Sequence, residues 1–351
     1  MNLETLGWNS YFEEEFDVYK EKGLTAGRVV LEHKGMYRVM AESGEMLAEV
    51  SGKLRFQAAG RGDYPAVGDW VAIDARPEEG RATIHAILQR KSKFSRKAAG
   101  NTTEEQIVAA NIDTVFIVAA LNSDFNVRRL ERYVLTAWES GANPVIVLSK
   151  SDLCADIEVK IEETEKVAIG VPIHAVSAET GSGMDALRKY LEKGKSVALL
   201  GSSGVGKSTL VNGFIGKSVF KTGGIRDDDK GRHTTTHREL IVLESGGIVI
   251  DTPGMRELQL WEADSGLSQG FSDVEELAAQ CKFRDCGHNG EPGCAVEKAM
   301  MDGALEATRF QSYLKLQKEL AYLERKEDKQ LAMAEREKWK KITMGQRKKN
   351  R

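Results

Sequence analysis

The chain has 351 residues, 41% of them hydrophobic and 29% charged, with 34 Gly against 6 Pro. That composition excludes a disordered or fibrous chain and predicts two or three globular domains. Against 50 basic residues stand 53 acidic ones, a formal charge of -3, which argues against a surface that coats nucleic acid throughout but leaves room for local basic patches.

In chain order, residues 1 to about 22 read as an amphipathic helix, with Trp8, Phe12, Phe16 and Tyr19 on one face and Glu13, Glu14 and Glu15 mostly on the other. Its acidic start lacks a signal-peptide pattern. From about Gly23 to Lys93 short alternating runs (GRVVLEHKGMYRVMAE, GEMLAEVSGKLRF, DWVAIDA, ATIHAIL) are separated by Gly, Asp and Pro, which predicts a small antiparallel barrel. After the basic segment Arg90 to Lys97 the pattern becomes α/β. Continuous apolar strands at Thr114 to Ala120, Pro144 to Leu148, Ser196 to Leu200 and Ile248 to Ile250 alternate with helices at Val127 to Ser140, Asp156 to Val167 and Met184 to Lys193. A third region begins near Trp261, carries Cys281, Cys286 and Cys294, and ends in a long charged helix from about Ala304 to Lys341. Three clustered Cys of four is metal-like spacing and not a disulfide framework. The longest strongly apolar stretch, Val115 to Leu121, is too short to cross a bilayer, so a cytoplasmic chain without a membrane partner is expected.

Gly201, Ser202, Ser203, Gly204, Val205, Gly206, Lys207 and Ser208 match the phosphate-loop pattern G-x-x-x-x-G-K-[ST], after the strand SVALL and before the helix pattern that opens at Thr209. Glycines let backbone N–H groups curl around a phosphate, Lys207 neutralises phosphate oxygens, the Ser208 hydroxyl ligates Mg²⁺, and the helix adds its positive end. Asp251 closes the strand GIVI and opens Asp251-Thr252-Pro253-Gly254, placing a carboxylate for a magnesium water and the Gly254 N–H for a γ-phosphate. Between them the Thr-rich stretch Gly231 to Thr236 suits a loop whose hydroxyl completes the Mg²⁺ shell. Ser149-Lys150-Ser151-Asp152 and Ser177-Ala178 each follow a predicted strand. The Asp152 carboxylate can accept from N1 and N2 of guanine together, the Lys150 stem can cover the base, and the Ala178 N–H can meet O6.

Base-reading motifs that precede the phosphate loop make the order circularly permuted relative to Ras-like GTPases, and over nearly its whole length the chain resembles the ribosome small subunit-dependent GTPase A family, also called YjeQ or YloQ. Pro65 to Val71 of the barrel, Gly231 to Thr236 and the Cys/His cluster belong to the resemblance. It implies an N-terminal OB-fold barrel within residues 1–95, a circularly permuted P-loop GTPase domain at 96–262 and a zinc-binding helical domain at 263–351. It implies a GTPase that converts GTP to GDP and phosphate, stimulated by the 30S ribosomal subunit and acting in late 30S maturation on 16S rRNA, as a monomer. Ser149 departs from the family's usual Asn or, less often, Thr, a residue that partly buttresses the phosphate loop, so a somewhat lower nucleotide affinity is expected while Asp152 keeps the specificity determinant. Met255 occupies the place of the water-orienting Gln, and the resemblance implies that His233 takes over that role, with Thr235 closing on Mg²⁺ by motif alignment.

Cys281-x4-Cys286-x-His288-x5-Cys294 supplies three thiolates and one imidazole, the closed tetrahedral set of structural Zn²⁺. Arg55, Arg61, Arg90, Lys91, Lys93, Arg96 and Lys97 are candidate RNA phosphate contacts on the barrel side, and KWKKITMGQRKKNR at 338–351 is a candidate RNA-contacting arm without an acid. Two other functions fit the same motifs: a nucleotide-switched RNA-binding assembly factor with negligible turnover, and an assembly enzyme acting on a non-ribosomal RNA.

Overall fold

The structure, a computed structural model, describes residues 2–33, 35–97, 105–216, 238–251, 270–318 and 321. They fall into two compact units, Met1–Gln259 and Leu260–Arg351.

In the first unit a 3-10 turn (Leu3–Leu6) precedes helix α1 (Ser10–Lys20). The expected continuous helix is broken by Gly7, whose φ of 88° is left-handed and whose missing side chain leaves room for the Arg28 guanidinium and the Gly194 carbonyl. Asn9 then caps α1 by accepting from the Tyr11 N–H. Phe12 and Phe16 bury against Leu6, Trp70 and Leu88, as the aromatic spacing predicts.

Strands β1 (Thr25–His33), β2 (Met36–Ala41), β3 (Gly44–Val50), β4 (Trp70–Arg76) and β5 (Arg81–Ile87) close a five-stranded barrel in the order β1-β2-β3-β5-β4-β1, with the short helix α2 (Gly52–Gln57) between β3 and β4. That pairing is the OB-fold topology. The period-2 burial of β3 (Met46, Ala48 and Val50 in; Glu45, Leu47 and Glu49 out) is what its alternating sequence predicts. A hairpin of β6 (Lys93–Lys97) and β7 (Glu105–Ala110) follows, which hydrophobic patterning did not predict.

The α/β layer comprises β8 (Thr114–Ala120), α3 (Val127–Glu139), β9 (Asn143–Ser149), α4 (Ile157–Glu165), β10 (Ile173–Ala175), α5 (Met184–Arg188), β11 (Ser196–Leu200), α6 (Lys207–Ile215), β12 (Arg238–Val242) and β13 (Ile248–Asp251). The strand order is β10-β9-β8-β11-β13-β12, parallel except for β12. β8 and β11 are almost wholly buried because apolar clusters cover both faces, which explains their unbroken apolar sequences.

The barrel and this layer share one sheet. β12 pairs with β1 (Leu31 opposite Glu239, Glu32 opposite Arg238), so a single cross-strand row runs Asp251, Glu239, Leu31, Arg38, Leu47, Arg81. A buried polar junction reinforces the join. The Arg28 guanidinium, only 2% exposed, donates to the carbonyls of Leu6, Gly68 and Asn111. Burial lowers its pKa to about 10, so it stays charged at neutral pH. Asp69, fully buried, accepts a two-pronged ion pair from Arg90 at 2.8 and 2.7 Å.

The second unit contains α7 (Ser272–Ala279), α8 (Ala295–Met301) and a helix α9 at residues 307–318, within the span from about Ala304 to Lys341 where the sequence predicts a long charged helix. Phe271, Val274, Val296, Ala299, Leu305, Phe310, Tyr313 and Leu316 are buried apolar residues among its described ones. Arg309 ties α9 to α7 through Asp273, at 2.6 and 2.7 Å, and lies 4.7 Å from the centre of the Phe271 ring.

Candidate functional site

Because β8, β9, β10, β11 and β13 are parallel, their carboxyl ends lie along one edge of the sheet, where open α/β folds bind ligands. Each predicted strand-end motif sits there: the phosphate loop after β11, Ser149 to Asp152 at β9, Ser177 and Ala178 after β10, and Asp251 as the last residue of β13.

Gly201 turns the chain out of β11 with a φ of 153°, and a Cβ there would sit 2.3 Å from the Val118 carbonyl oxygen, so the tight departure needs glycine. The loop delivers Lys207 to the first turn of α6, and the ammonium group donates back to the carbonyls of Gly201 at 2.7 Å and Ser202 at 2.6 Å. That seats a positive charge beside loop amides and a helix N-terminus, a site for an anion. Gly204 and Gly206 are left-handed, Val205 is buried under the loop, and Ser208 and Thr209 continue α6.

The buried Ser149 hydroxyl donates to the Val205 carbonyl at 2.6 Å, across 56 residues of sequence. Ser149 therefore keeps a strut between the end of β9 and the loop after β11. Ser149→Ala is expected to weaken GDP binding about 3- to 10-fold, the cost of one such hydrogen bond; an affinity equal to wild type in a labelled-GDP titration would show that the strut is idle.

Lys150 is one of few non-glycine residues with left-handed backbone, at φ 58°, and this turn starts a 3-10 segment, Ser151–Leu153, that leaves Asp152 exposed. Ser151 N–H donates to the Val176 carbonyl at 3.1 Å, which draws the Asp152 turn beside the Ser177–Ala178 loop. The Ser177 hydroxyl accepts from Thr180 N–H at 3.2 Å and shapes that loop. Gly254, Met255, His233 and Thr235, with Thr234 and Thr236, lie outside the described residues, as does the 338–351 arm; for Asp251 only the backbone is described.

On the barrel side Arg55 and Arg61 are exposed. Arg90 is instead committed to Asp69 and the carbonyls of Gly62 and Tyr64, and Lys91 bonds Asn9 while lying 4.5 Å from the centre of the Tyr11 ring. Lys93 pairs with Glu105 at 3.3 Å. The basic segment thus serves the junction as well as the surface. Sequence reasoning missed Asp124 and Arg129, which reach Ser202 of the phosphate loop; no local motif marks a contact spanning 73 residues.

In the second unit the ligand atoms of Cys281, Cys286, His288 and Cys294 all lie within 4.8 Å of one another. The Cys281 Sγ to Cys294 Sγ separation is 3.9 Å, and His288 Nδ1 lies 3.5 and 3.4 Å from those sulfurs. Tetrahedral bonds of about 2.3 Å to sulfur and about 2.0 Å to nitrogen place such atoms roughly 3.8 and 3.5 Å apart. The four residues could therefore hold one metal ion. Backbone N–H groups of Ala295 and Glu297 point at the sulfurs of Cys281 and Cys294 at 3.4 and 3.3 Å, an outer shell that favours thiolate.

A family model described as RsgA GTPase matches residues 87–261, and one described as 50S ribosome-binding GTPase matches 196–330, beginning at β11, the strand before the phosphate loop. The chain is 51% identical over 307 residues to the small ribosomal subunit biogenesis GTPase RsgA 2 of Lactiplantibacillus plantarum, covering 87% of this chain and 86% of that one. It is 48% identical to the corresponding RsgA of Opitutus terrae, over 93% and 92% of the two chains. Among solved structures, YjeQ from Thermotoga maritima superposes with a TM-score of 0.63 at 30% identity, over 85% of this chain and 99% of that one. YloQ, described as a circularly permuted GTPase, superposes with a TM-score of 0.62 at 25% identity, over 85% and 95%.

Proposed function

The chain belongs to the RsgA GTPase family, and from that premise we propose how its residues divide the work of a GTPase of small ribosomal subunit biogenesis. The observation that carries this is the permuted sheet: the base-reading motifs after β9 and β10 and the phosphate motifs at β11 and β13 stand on one edge, on either side of β8, although their sequence order is inverted. GTP binds along that edge. Lys207 and the loop amides of Gly201 to Thr209 take the phosphates, Asp152 reads the guanine edge, Lys150 covers the base, and Ala178 N–H meets O6. Ser208, Asp251 and Thr235 would hold Mg²⁺, which supplies charge neutralisation between the β- and γ-phosphates when bound. Gly254 N–H addresses the γ-phosphate, and His233 orients the attacking water in place of the Gln that Met255 replaces.

The metal of the second unit is zinc. Three thiolates and one imidazole clustered within 4.8 Å suit it, and a closed set of four leaves its role structural. The chain works as a monomer with three functional modules: the OB-fold barrel (1–95), the permuted GTPase (96–262) and the zinc module with its basic arm (263–351). Barrel and arm contact 16S rRNA of the 30S particle, and binding there completes the hydrolytic site during late maturation. A cytoplasmic location agrees with that partner. Among the described residues no helix is long and apolar enough to cross a membrane.

The test is GTP turnover with and without purified 30S subunits, with ATP as control. Turnover should rise with 30S and ATP should not be used; absence of stimulation would favour a nucleotide switch with negligible catalysis or a different RNA partner. In the same assay His233→Ala is expected to lose about 10²-fold of the stimulated rate while binding GDP as wild type does. Full stimulation in the variant would remove His233 from the mechanism.

A further inference from the structure

The loop between β8 and α3 is built to aim one side chain. Asn122 closes its first turn by accepting from Asp124 N–H at 3.0 Å, and Asn126 caps α3 by accepting from the N–H groups of Arg128 and Arg129 at 3.0 and 3.1 Å. With its backbone so held, Arg129 engages Asp124 as a fork, Nη1 to Oδ2 at 2.8 Å and Nη2 to Oδ1 at 3.1 Å. The same Nη1 donates to the Ser202 hydroxyl at 2.9 Å, and that hydroxyl donates onward to Asp124 Oδ2 at 3.1 Å. Ser202 is the second residue of the phosphate loop, and its carbonyl receives the Lys207 ammonium at 2.6 Å.

Resting on the reading of this edge as a guanine-nucleotide site, we infer that Arg129 and Asp124 are a positioning pair for the phosphate loop. They lock the Ser202 side chain on both its donor and acceptor sides, which fixes the peptide whose carbonyl seats Lys207 where nucleotide phosphates bind. Ser149 holds the same loop at Val205, so the loop is held at two points, one from β9 and one from the start of α3. The Arg129 hydrogen bonds hold the Asp124 carboxyl below the usual carboxylate range, so the clamp stays charged at neutral pH.

A plain surface ion pair would behave differently. Arg129 and Asp124 are 36% and 47% exposed, and pairs so exposed contribute little to folding. Their removal should leave the unfolding midpoint nearly unchanged and appear instead in nucleotide affinity. Neither residue touches the reacting atoms in this assignment, so GDP affinity and the KM for GTP should move together.

The experiment titrates fluorescently labelled GDP into the full-length protein as wild type, Arg129→Ala, Arg129→Lys, Ser202→Ala and the Arg129→Ala/Ser202→Ala double variant, with urea unfolding of each nucleotide-free protein. Arg129→Ala and Ser202→Ala should each weaken GDP about 5- to 10-fold. The double variant should be no weaker than either single one, because the pair acts through that hydroxyl. Arg129→Lys should recover part of the loss, as a single donor replacing a fork. Wild-type GDP affinity in Arg129→Ala, multiplied losses in the double variant, or a fall in the unfolding midpoint that accounts for the affinity loss would each overturn the inference. Failure of the wild-type chain to bind GDP would instead overturn the underlying GTPase reading, and the inference with it.

Discussion

Replacing Asp152 with Asn is expected to lower GTP affinity about 10³-fold and to make xanthosine triphosphate the better ligand. Asp152 follows a left-handed Lys150 on a short 3-10 turn that Ser151 N–H pins to the Val176 carbonyl at 3.1 Å, so its exposed carboxylate is carried by a rigid support. Ionised, it accepts from guanine N1–H and N2–H at once, and charge-assisted bonds of this type contribute about 1.5–3 kcal/mol each. An Asn amide presents one acceptor and one donor. It loses one guanine bond and opposes N2–H with N–H, whereas xanthine offers an oxygen at that position. Competition of GDP and XDP against a fluorescent analogue measures the change directly. Unaltered guanine preference in Asp152→Asn would remove this residue as the base reader, whatever the phosphate loop does.

Removing the metal from the second unit should unfold that unit and spare the first. Among its described residues the apolar core is small, centred on Phe271, Val274, Val296 and Phe310, and the Cys/His cluster joins the start of α8 to the segment after α7. Cys294 is buried and caps α8 by accepting from Glu297 N–H at 3.3 Å. For modules of this kind the apparent zinc-binding free energy is about 10–16 kcal/mol at neutral pH and is in effect folding free energy. Elemental analysis should find one zinc per chain, and Cys294→Ser should lose it. Limited proteolysis should then cleave within 270–318, while labelled GDP still binds the first unit, whose buried clusters are its own. A zinc-free Cys294→Ser protein that resists protease as wild type does would show that the cluster has no structural role.

Much of the proposed nucleotide site rests on features legible before any coordinate. The phosphate loop can be read because its chemistry is local: consecutive amides must wrap one phosphate, so glycines and Lys207 fall within a few residues of one another. The metal cluster is legible for the same reason, all four ligands lying between Cys281 and Cys294. β8 and β11 are legible because strands buried on both faces need continuous apolar sequence, and their predicted bounds, Thr114–Ala120 and Ser196–Leu200, are the observed ones. Helix α3 ends one residue from its predicted bound because its cap and apolar periodicity are both local signals.

Other features depend on partners far along the chain. Gly7 looks like an interruption any helix could tolerate until the Arg28 guanidinium and Gly194 carbonyl fill the space beside it. Arg90 has the chemistry of an RNA contact, and only the buried Asp69 carboxylate, 21 residues away, commits it to the junction. The hairpin β6–β7 carries mixed polar and apolar residues whose pattern has no clear period, so its pairing is decided by the register of Lys93 opposite Ala110.

Hydrophobic period and local motif therefore determine which segments are strands, which face of each is buried, and which short stretches can hold a phosphate or a metal. They record that a side chain is covered, not what covers it. The fusion of β12 to β1, the Ser149 strut on Val205 and the Arg129–Asp124 clamp on Ser202 were decided only by folding. Each depends on donors and acceptors tens of residues or more apart meeting within about 3 Å, the range over which a hydrogen bond acts.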